Sequence, residues 1–291
     1  MRYVLGIDSS TTATKAVIVD ETGAVAGVAA STYTAESPHP LWSEQHPDLW
    51  WTATQKAIGA VLAETGIGVA AITAIGLTGQ MHGLVLLDAD NVPLRPAILW
   101  NDQRTAAECD EIRRIVGLER FIQITGNDAL TGFTAPKILW VRNHEPDVYG
   151  RTAHVLLPKD YVRLKLTGTH GVDRAGGGGT VLFDLAARTW SSEIRDALEI
   201  PAAWLPPTHE GPAITGTVTA AAAAATGLAP GTPVVAGGGD QAATAVGTGA
   251  IDPGIVTASL GKGCYFRAHT RPTPSVLPRG LAFSRVAIRG S

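Results

Sequence analysis

Toward the end of this chain a short apolar run, Pro233 to Ala236, stops at three glycines and an aspartate, Gly237-Gly-Gly-Asp240, and an alanine-rich stretch follows from Gln241 to Val246. The apolar run reads as a buried strand. The glycines let the backbone turn with no side chain in the way, so that a substrate can approach it closely, and the aspartate opens a helix. A carboxylate on such a turn can meet a hydroxyl and take its proton. It can equally serve as a helix cap, a common post for aspartate, and spacing leaves both readings open. The other terminus carries a second strand tipped by an acid, Tyr3-Val-Leu-Gly-Ile-Asp8, followed by Ser9-Ser-Thr-Thr-Ala-Thr-Lys15. Small hydroxyl residues and turning amides suit an anion such as phosphate. Asp8 beside them can hold magnesium, directly or through water, or be no more than a polar strand end. The loop lacks the Walker spacing. Two acid-tipped strands far apart in sequence suggest one cleft built from both.

The first residues read as three strands, 2–8, 15–20 and 24–32, the last two joined by the tight turn Glu21-Thr-Gly23. A Rossmann fold would have placed a helix after the first strand. Residues 48–64 have helical spacing, with Leu49, Ala53, Lys56 and Ala60 as one face and Pro47 at the start. Further strands are expected at 71–77, 84–87, 97–100, 154–157 and 254–260. Helices are expected at 103–116, 135–144, 158–166, 190–198 and 218–226. A meander followed by alternating helix and strand indicates an α/β domain with a mixed sheet.

Composition narrows the class. Of 291 residues, 45% are hydrophobic and 17% charged, which fits a folded chain with a real core, in one large domain or two modest ones. A net charge of -3 argues against a nucleic-acid-binding surface spread over the protein. No apolar run reaches a membrane span, and the start lacks a signal-peptide pattern. Cys109 and Cys264 have no metal-ligand spacing. A disulfide between them stays open, with a reducing, cytoplasmic setting the simpler reading.

Other segments carry chemistry or packing. In Gly79-Gln-Met-His-Gly83, His82 could bond a substrate hydroxyl and Met81 could line its pocket; a solvated or structural loop histidine is the plainer alternative. Trp100-Asn-Asp-Gln-Arg104 puts an aromatic face beside amide and carboxylate groups, a mixture suited to a sugar, or to a buried tryptophan and a helix start. In Gly132-Phe-Thr-Ala-Pro-Lys137 and the helix after it, Lys137 reads as a surface charge. Gly176 to Gly179 read as a flexible loop ahead of any phosphate cradle.

Taken in order, eight segments resemble the FGGY carbohydrate kinases: Asp8-Ser-Ser-Thr-Thr12, Pro40-Leu-Trp-Ser-Glu-Gln45, Gly79-Gln-Met-His-Gly83, Arg95-Pro-Ala-Ile-Leu-Trp-Asn-Asp102, Ile124-Thr-Gly-Asn127, Gly132-Phe-Thr-Ala-Pro-Lys137, Leu156-Leu-Pro-Lys-Asp-Tyr161 and Ala236-Gly-Gly-Gly-Asp240. The resemblance runs from the first strand to about Gly261. It implies an actin-like ATPase, ribonuclease-H-like fold, with a mixed sheet and helices on both faces. It also implies transfer of phosphate from ATP with Mg2+. The Gln-Met-His-Gly and Leu-Trp-Ser-Glu-Gln segments point within the family to D-xylulose, giving D-xylulose 5-phosphate, over gluconate, glycerol or ribulose. By the same resemblance Asp240 is the proton acceptor, and Asp8 is needed near the metal and phosphates. Met81 and His82 contact the sugar, and Trp100, Asn101, Asp102 and Gln241 are further candidates for its pocket. Thr11 and Thr12 lie near the transferred phosphate. Neither nucleic acid nor membrane is an expected partner; a homodimer stays open.

The chain departs from the family pattern in three places. Leu260-Gly-Lys-Gly-Cys264 stands where the family has Leu-Gly-Thr-Ser-Gly. Gly176 stands where the family has an aspartate before Thr180. The family's second domain, with most of the nucleotide contacts, is expected to be missing. Residues 1–250 then form the N-terminal kinase domain, and 251–291 the start of a truncated second one with an atypical, poorly ordered tail. On this expectation the tail is a truncation product, with a frameshift after Gly261 as the hypothesis for the change in composition there. On that expectation the isolated chain turns over little, and a non-catalytic sugar-binding domain or inactive fragment is the alternative function.

Overall fold

The computed structural model describes residues 1–252, 255–260 and 264–268, with backbone alone for 256–260 and 264–268. Its main sheet joins β1 (Tyr3–Ser9), β2 (Ala13–Asp20), β3 (Val25–Thr32), β4 (Ile72–Gly79), β5 (Ile214–Thr217), β6 (Pro233–Val235) and β7 (Gly238–Gly239). The spatial order is β5-β6-β4-β1-β2-β3, with β7 also on β4. The β1–β2–β3 meander and the β5–β6 pair are antiparallel, while β4 runs parallel to β1, β6 and β7. The sheet is mixed, as the pattern of elements implied.

Alternation sets the sheet's faces. Leu5, Ile7, Ala16, Ile18, Ile75 and Leu77 are buried on one side, whereas Gly6, Asp8, Gly76 and Thr78 are half-exposed on the other. Helices α1 (Pro47–Thr65), α5 (Pro158–Thr167) and α7 (Ala220–Thr226) contribute the residues that pack into this core. The buried stripe of α1 is Trp50, Ala53, Ala57, Ile58 and Val61, whereas Leu49, Lys56 and Ala60 face solvent. The expected face was therefore one position out. Trp50 settles it, because its indole Nε1 donates to Gln45 Oε1 at 2.9 Å as the ring goes under. Burying an aliphatic side chain such as Ile58 or Val61 contributes about 1.5–3 kcal/mol.

A second core is built by α2 (Ala106–Val116), α3 (Leu118–Thr125) and α4 (Thr134–His144). The helix α3 was not anticipated. The wall between the two cores is strand 85–87, paired with 154–156. Leu84 and Leu86 face the second core while Val85 and Leu87 face the first. That is why this segment is apolar without alternation: both of its faces are buried.

Two further expectations are corrected. Gly176 to Gly178 are buried inside the helix α6 (Arg174–Gly178) rather than in a flexible loop. Asp173 caps that helix by accepting from Gly176 N at 2.7 Å. A Cβ at Gly176 would lie 2.8 Å from Asp173 Oδ1, so a side chain there would crowd the cap. The segment expected as one helix from 190 is a strand pair ending at Trp190 and a shorter helix, Ser192–Ala197. Past residue 250, β8 (Val256–Leu260), where a strand was expected at 254–260, pairs antiparallel with β9 (Cys264–Ala268). The Gly-Lys-Gly of the atypical loop and residues 269–291 lie outside the described residues.

Candidate functional site

The site is assembled at the carboxyl ends of three parallel strands. Asp8 is paired in register with Thr78 on β4, and Thr78 with Gly238 on β7. Neighbouring strands lie about 4.8 Å apart, so Asp8 and Gly238 stand roughly 10 Å from each other along one sheet edge. Asp240 then begins α8 (Asp240–Gly247). The two acid tips therefore occupy the same end of one sheet, where open α/β sheets receive ligands. Burial pushes the Asp8 carboxyl above its ordinary value, and Lys15, its partner on β2, acts in the opposite direction.

The loop after β4 is threaded between glycines. A Cβ at Gly239 would lie 2.5 Å from Met81 Cγ, and one at Gly179 would lie 2.8 Å from the His82 ring. Met81 therefore packs onto the residue that precedes Asp240, and His82 onto α6's exit. His82 has φ +66. Its Nδ1 lies 2.7 Å from Gly179 O. A carbonyl can only accept, so Nδ1 carries the proton and Nε2 presents a lone pair. Burial, offset in part by the Gly179 bond, lowers the imidazole's pKa to about 4, with Lys137 adding to the fall. At neutral pH His82 is an uncharged acceptor, fit for a hydroxyl donor.

Lys137 corrects the reading as a surface charge. It is fully buried, and Nζ donates to His82 O at 2.9 Å and Gly132 O at 2.7 Å. Thr134 Oγ1 donates to the same His82 carbonyl at 3.1 Å. The strained loop is thus clamped by α4. No carboxylate among the described residues pairs with Lys137, and burial depresses its pKa to about 7. Asp102 acts in the other direction and Arg104 in the same. A neutral amine keeps two protons and can still donate to both carbonyls. Between pH 7 and the ordinary lysine value the unfolded chain binds the extra proton, so this group makes stability rise with pH across that window. Lys137→Met is expected to flatten that rise, read as the difference between wild-type and variant urea-unfolding free energies from pH 6 to 9.5. Parallel curves would remove Lys137 as its source.

A hydrogen-bonded chain backs the loop after β1. Thr11 Oγ1 donates to Gln80 Oε1 at 3.3 Å and accepts from Trp100 Nε1 at 2.9 Å. Gln80 donates to Gln45 Oε1 at 3.2 Å, and Gln45 Nε2 to Thr11 O at 2.7 Å. Thr11 and Trp100 are thus brought together, and Thr12 beside them is exposed. Gln45 and Gln80 were not singled out, although both sit inside segments that were. Ser9 is buried on the core side with Leu5 and Ile7, away from any anion cradle.

The remaining candidates divide. Gln241 lies in the first turn of α8 and donates its N–H to Asp240 Oδ1 at 2.7 Å. Asp102 is fully buried; Ser43 N and the Arg104 backbone and guanidinium together donate four bonds to its two oxygens. That leaves no lone pair for a sugar, so Asp102 is better placed to hold Arg104 than to bind substrate. Asn101 is exposed and lines a shallow depression with His39, Leu41, Trp42 and Gln103, where no other candidate lies. Lys159, also missed, is buried: Nζ meets Asp160 Oδ1 at 2.5 Å, Asp173 Oδ1 at 2.7 Å and Ala236 O at 3.1 Å. It ties the strand before the glycine turn to the cap of α6. Cys109 is free and buried, its thiol pushed up to about 11 chiefly by burial.

This sheet, with its acids at one end, defines an α/β domain of the actin-like ATPase class, and solved structures agree. A xyloylose kinase from Brucella ovis superposes with TM-score 0.86 at 41% identity, over 91% of this chain and 54% of that one. Residues 3–247 match the N-terminal domain of the FGGY family of carbohydrate kinases, and the chain belongs to that family. It is 44% identical over 263 residues to a xylulose kinase of Escherichia coli (strain K12), across 90% of this chain and 53% of the relative. A gluconate kinase from Lactobacillus acidophilus, at 24% identity and TM-score 0.86 over 91% of this chain and 53% of its own, shares the fold. The chain spans about half the length of the curated relatives it matches. No helix among the described residues is long and apolar enough to cross a membrane.

Proposed function

We propose that this chain binds D-xylulose at the shared ends of β1, β4 and β7 and forms the sugar-side half of an ATP-dependent xylulose kinase of the cytoplasm. The observation that carries the reading is the placement of Asp8 and Asp240 on one sheet edge, with Met81 packed beside Asp240 and a neutral His82 on the same loop. Residues 1–250 act as the sugar domain, and those after 250 begin a second one. ATP with Mg2+ supplies the phosphoryl group and the positive charge that offsets it. Asp8, an oxygen ligand with one buried unpartnered atom, fits a hydrated magnesium ion among the described residues. Asp240 accepts the proton of the sugar hydroxyl as the new oxygen–phosphorus bond forms and the bond to the ADP oxygen breaks. His82 Nε2 accepts from a second hydroxyl and orients the ring of donors.

Charge separates this substrate from gluconate. The site presents carboxylates at 8 and 240, the first with Lys15 beside it, and an uncharged imidazole, while Lys137 is committed to internal carbonyls and Lys159 to Asp160, Asp173 and the Ala236 carbonyl. A neutral ketose meets no repulsion there, whereas a sugar acid does. Calorimetric titration of the chain is expected to show D-xylulose binding at least about tenfold tighter than gluconate, roughly 1.4 kcal/mol. Equal affinity would discard the neutral-sugar reading. The transfer itself is tested by xylulose-dependent ADP release from this domain joined to the second half of the Escherichia coli relative. ADP release indifferent to xylulose would leave a different sugar or a binding module as the function.

A further inference from the structure

Two buried oxygens at the sheet edge, Asp8 Oδ1 and Thr78 Oγ1, have no hydrogen-bond partner among the described residues. They belong to residues paired in register on the adjacent parallel strands β1 and β4. Side chains at paired positions project to the same face of a sheet. The next position in that row is Gly238 on β7, where a Cβ would meet nothing nearer than Ala242 Cβ at 3.8 Å. The row therefore runs Lys15, Asp8, Thr78, Gly238, and ends two residues before Asp240.

Leaving a buried hydroxyl unsatisfied costs a fold free energy. Valine has the same shape and branching and suits a strand as well. Packing alone therefore gives no reason for an oxygen at position 78. Ser9 Oγ lies on the opposite, core-facing side of β1 and cannot join the row.

We propose that Thr78 helps to bind one divalent cation at the end of β1 and β4, its hydroxyl and the Asp8 carboxylate together holding the ion's water shell. The inference rests on reading this edge as the phosphoryl-transfer site. The donor set is all oxygen, which selects magnesium or manganese over zinc, and magnesium in particular keeps its waters and takes few protein ligands. A hydroxyl can accept from one bound water and donate to another group, so Thr78 supplies direction where Asp8 supplies charge.

Mn2+ alone, titrated into the full chain and followed by the loss of its free electron-paramagnetic signal, tests this beside thermal melting of the same samples. Thr78→Val is expected to weaken Mn2+ binding by about fivefold or more and to raise the melting midpoint, since it removes a costly buried oxygen. Asp8→Asn is expected to lose most of the binding. Ser9→Ala is expected to leave Mn2+ binding unchanged. Three results would overturn the proposal: no Mn2+ binding by the wild type, wild-type binding by Thr78→Val, or a lower midpoint in Thr78→Val, which would make the hydroxyl structural. Normal Mn2+ binding by Thr78→Val alongside xylulose-dependent ADP release in the joined kinase would remove this inference and leave the proposed function standing. Absent ADP release with Thr78-dependent Mn2+ binding would do the reverse.

Discussion

Asparagine in place of Asp240 is expected to slow phosphoryl transfer by about 10²–10⁴-fold, the usual worth of a positioned general base, with sugar affinity changed little. The substitution separates the two roles that spacing alone left open. Asp240 Oδ1 accepts from Gln241 N at 2.7 Å in the first turn of α8. An asparagine oxygen makes the same bond, and the N-cap of α8 is Gly239 rather than residue 240, so no cap is lost. Losing the negative charge from that first turn costs only about 0.3–1 kcal/mol. The fold and the Met81 packing on Gly239 should survive, so the variant tests the proton and little else. Sugar affinity is read by titration of the chain, and transfer by ADP release in the joined kinase. Turnover within tenfold of wild type would reduce Asp240 to a helix start and require another acceptor for the proton.

How much of this was visible in the sequence depended on whether a residue's fate was decided locally. The meander and β4 were legible because buried and half-exposed residues alternate along them. The turn before Asp240 was legible because its first residue, Gly237, takes φ +78 and leaves no room for a side chain. The α1 face was misread because Leu49, Trp50 and Trp51 are all apolar, and the choice among them is made by a distant partner, Gln45. Four consecutive glycines read as a loop, yet tertiary packing overrides that preference: Asp173 caps them, and the His82 ring occupies the space a side chain at 179 would need. Lys137 looked like any surface lysine, since nothing nearby in sequence reveals two inward-facing carbonyls, one of them from a residue with positive φ 55 positions earlier. The surroundings of Asp102 were hidden for the same reason. Its partner Arg104 is local, but the enclosure that uses up its lone pairs comes from Ser43. The site's first layer could be read from motifs; the clamps behind it belong to long-range contacts.

The strongest structural demand falls on Gly237. Its φ is +78, and a Cβ there would stand 1.9 Å from Leu77 O, with Leu77 C at 2.9 Å and N at 3.2 Å. Those are backbone atoms of the central strand, so no side chain can rotate aside. Gly237→Ala must either push β7 off β4 or break the Gly237 N to Gly211 O bond. A loss of about 3–5 kcal/mol is expected, at the far end of single-substitution effects and a large share of a typical domain's total. Gly23 is the matched control. Its φ is +88, but an added Cβ meets nothing within 4 Å, so Gly23→Ala carries the torsional penalty alone, about 1–2 kcal/mol. Urea unfolding of both variants separates clash from torsion. The functional consequence follows from geometry: β7 is the two-residue link that sets Asp240 against Thr78 and Asp8. Gly237→Ala should therefore lose xylulose binding even at urea-free, low-temperature conditions where it stays folded, whereas Gly23→Ala should keep it. Equal, small losses of stability in the two variants would mean that β7 can shift away from Leu77 at little cost, and that the edge carrying both acids is less fixed than its register implies.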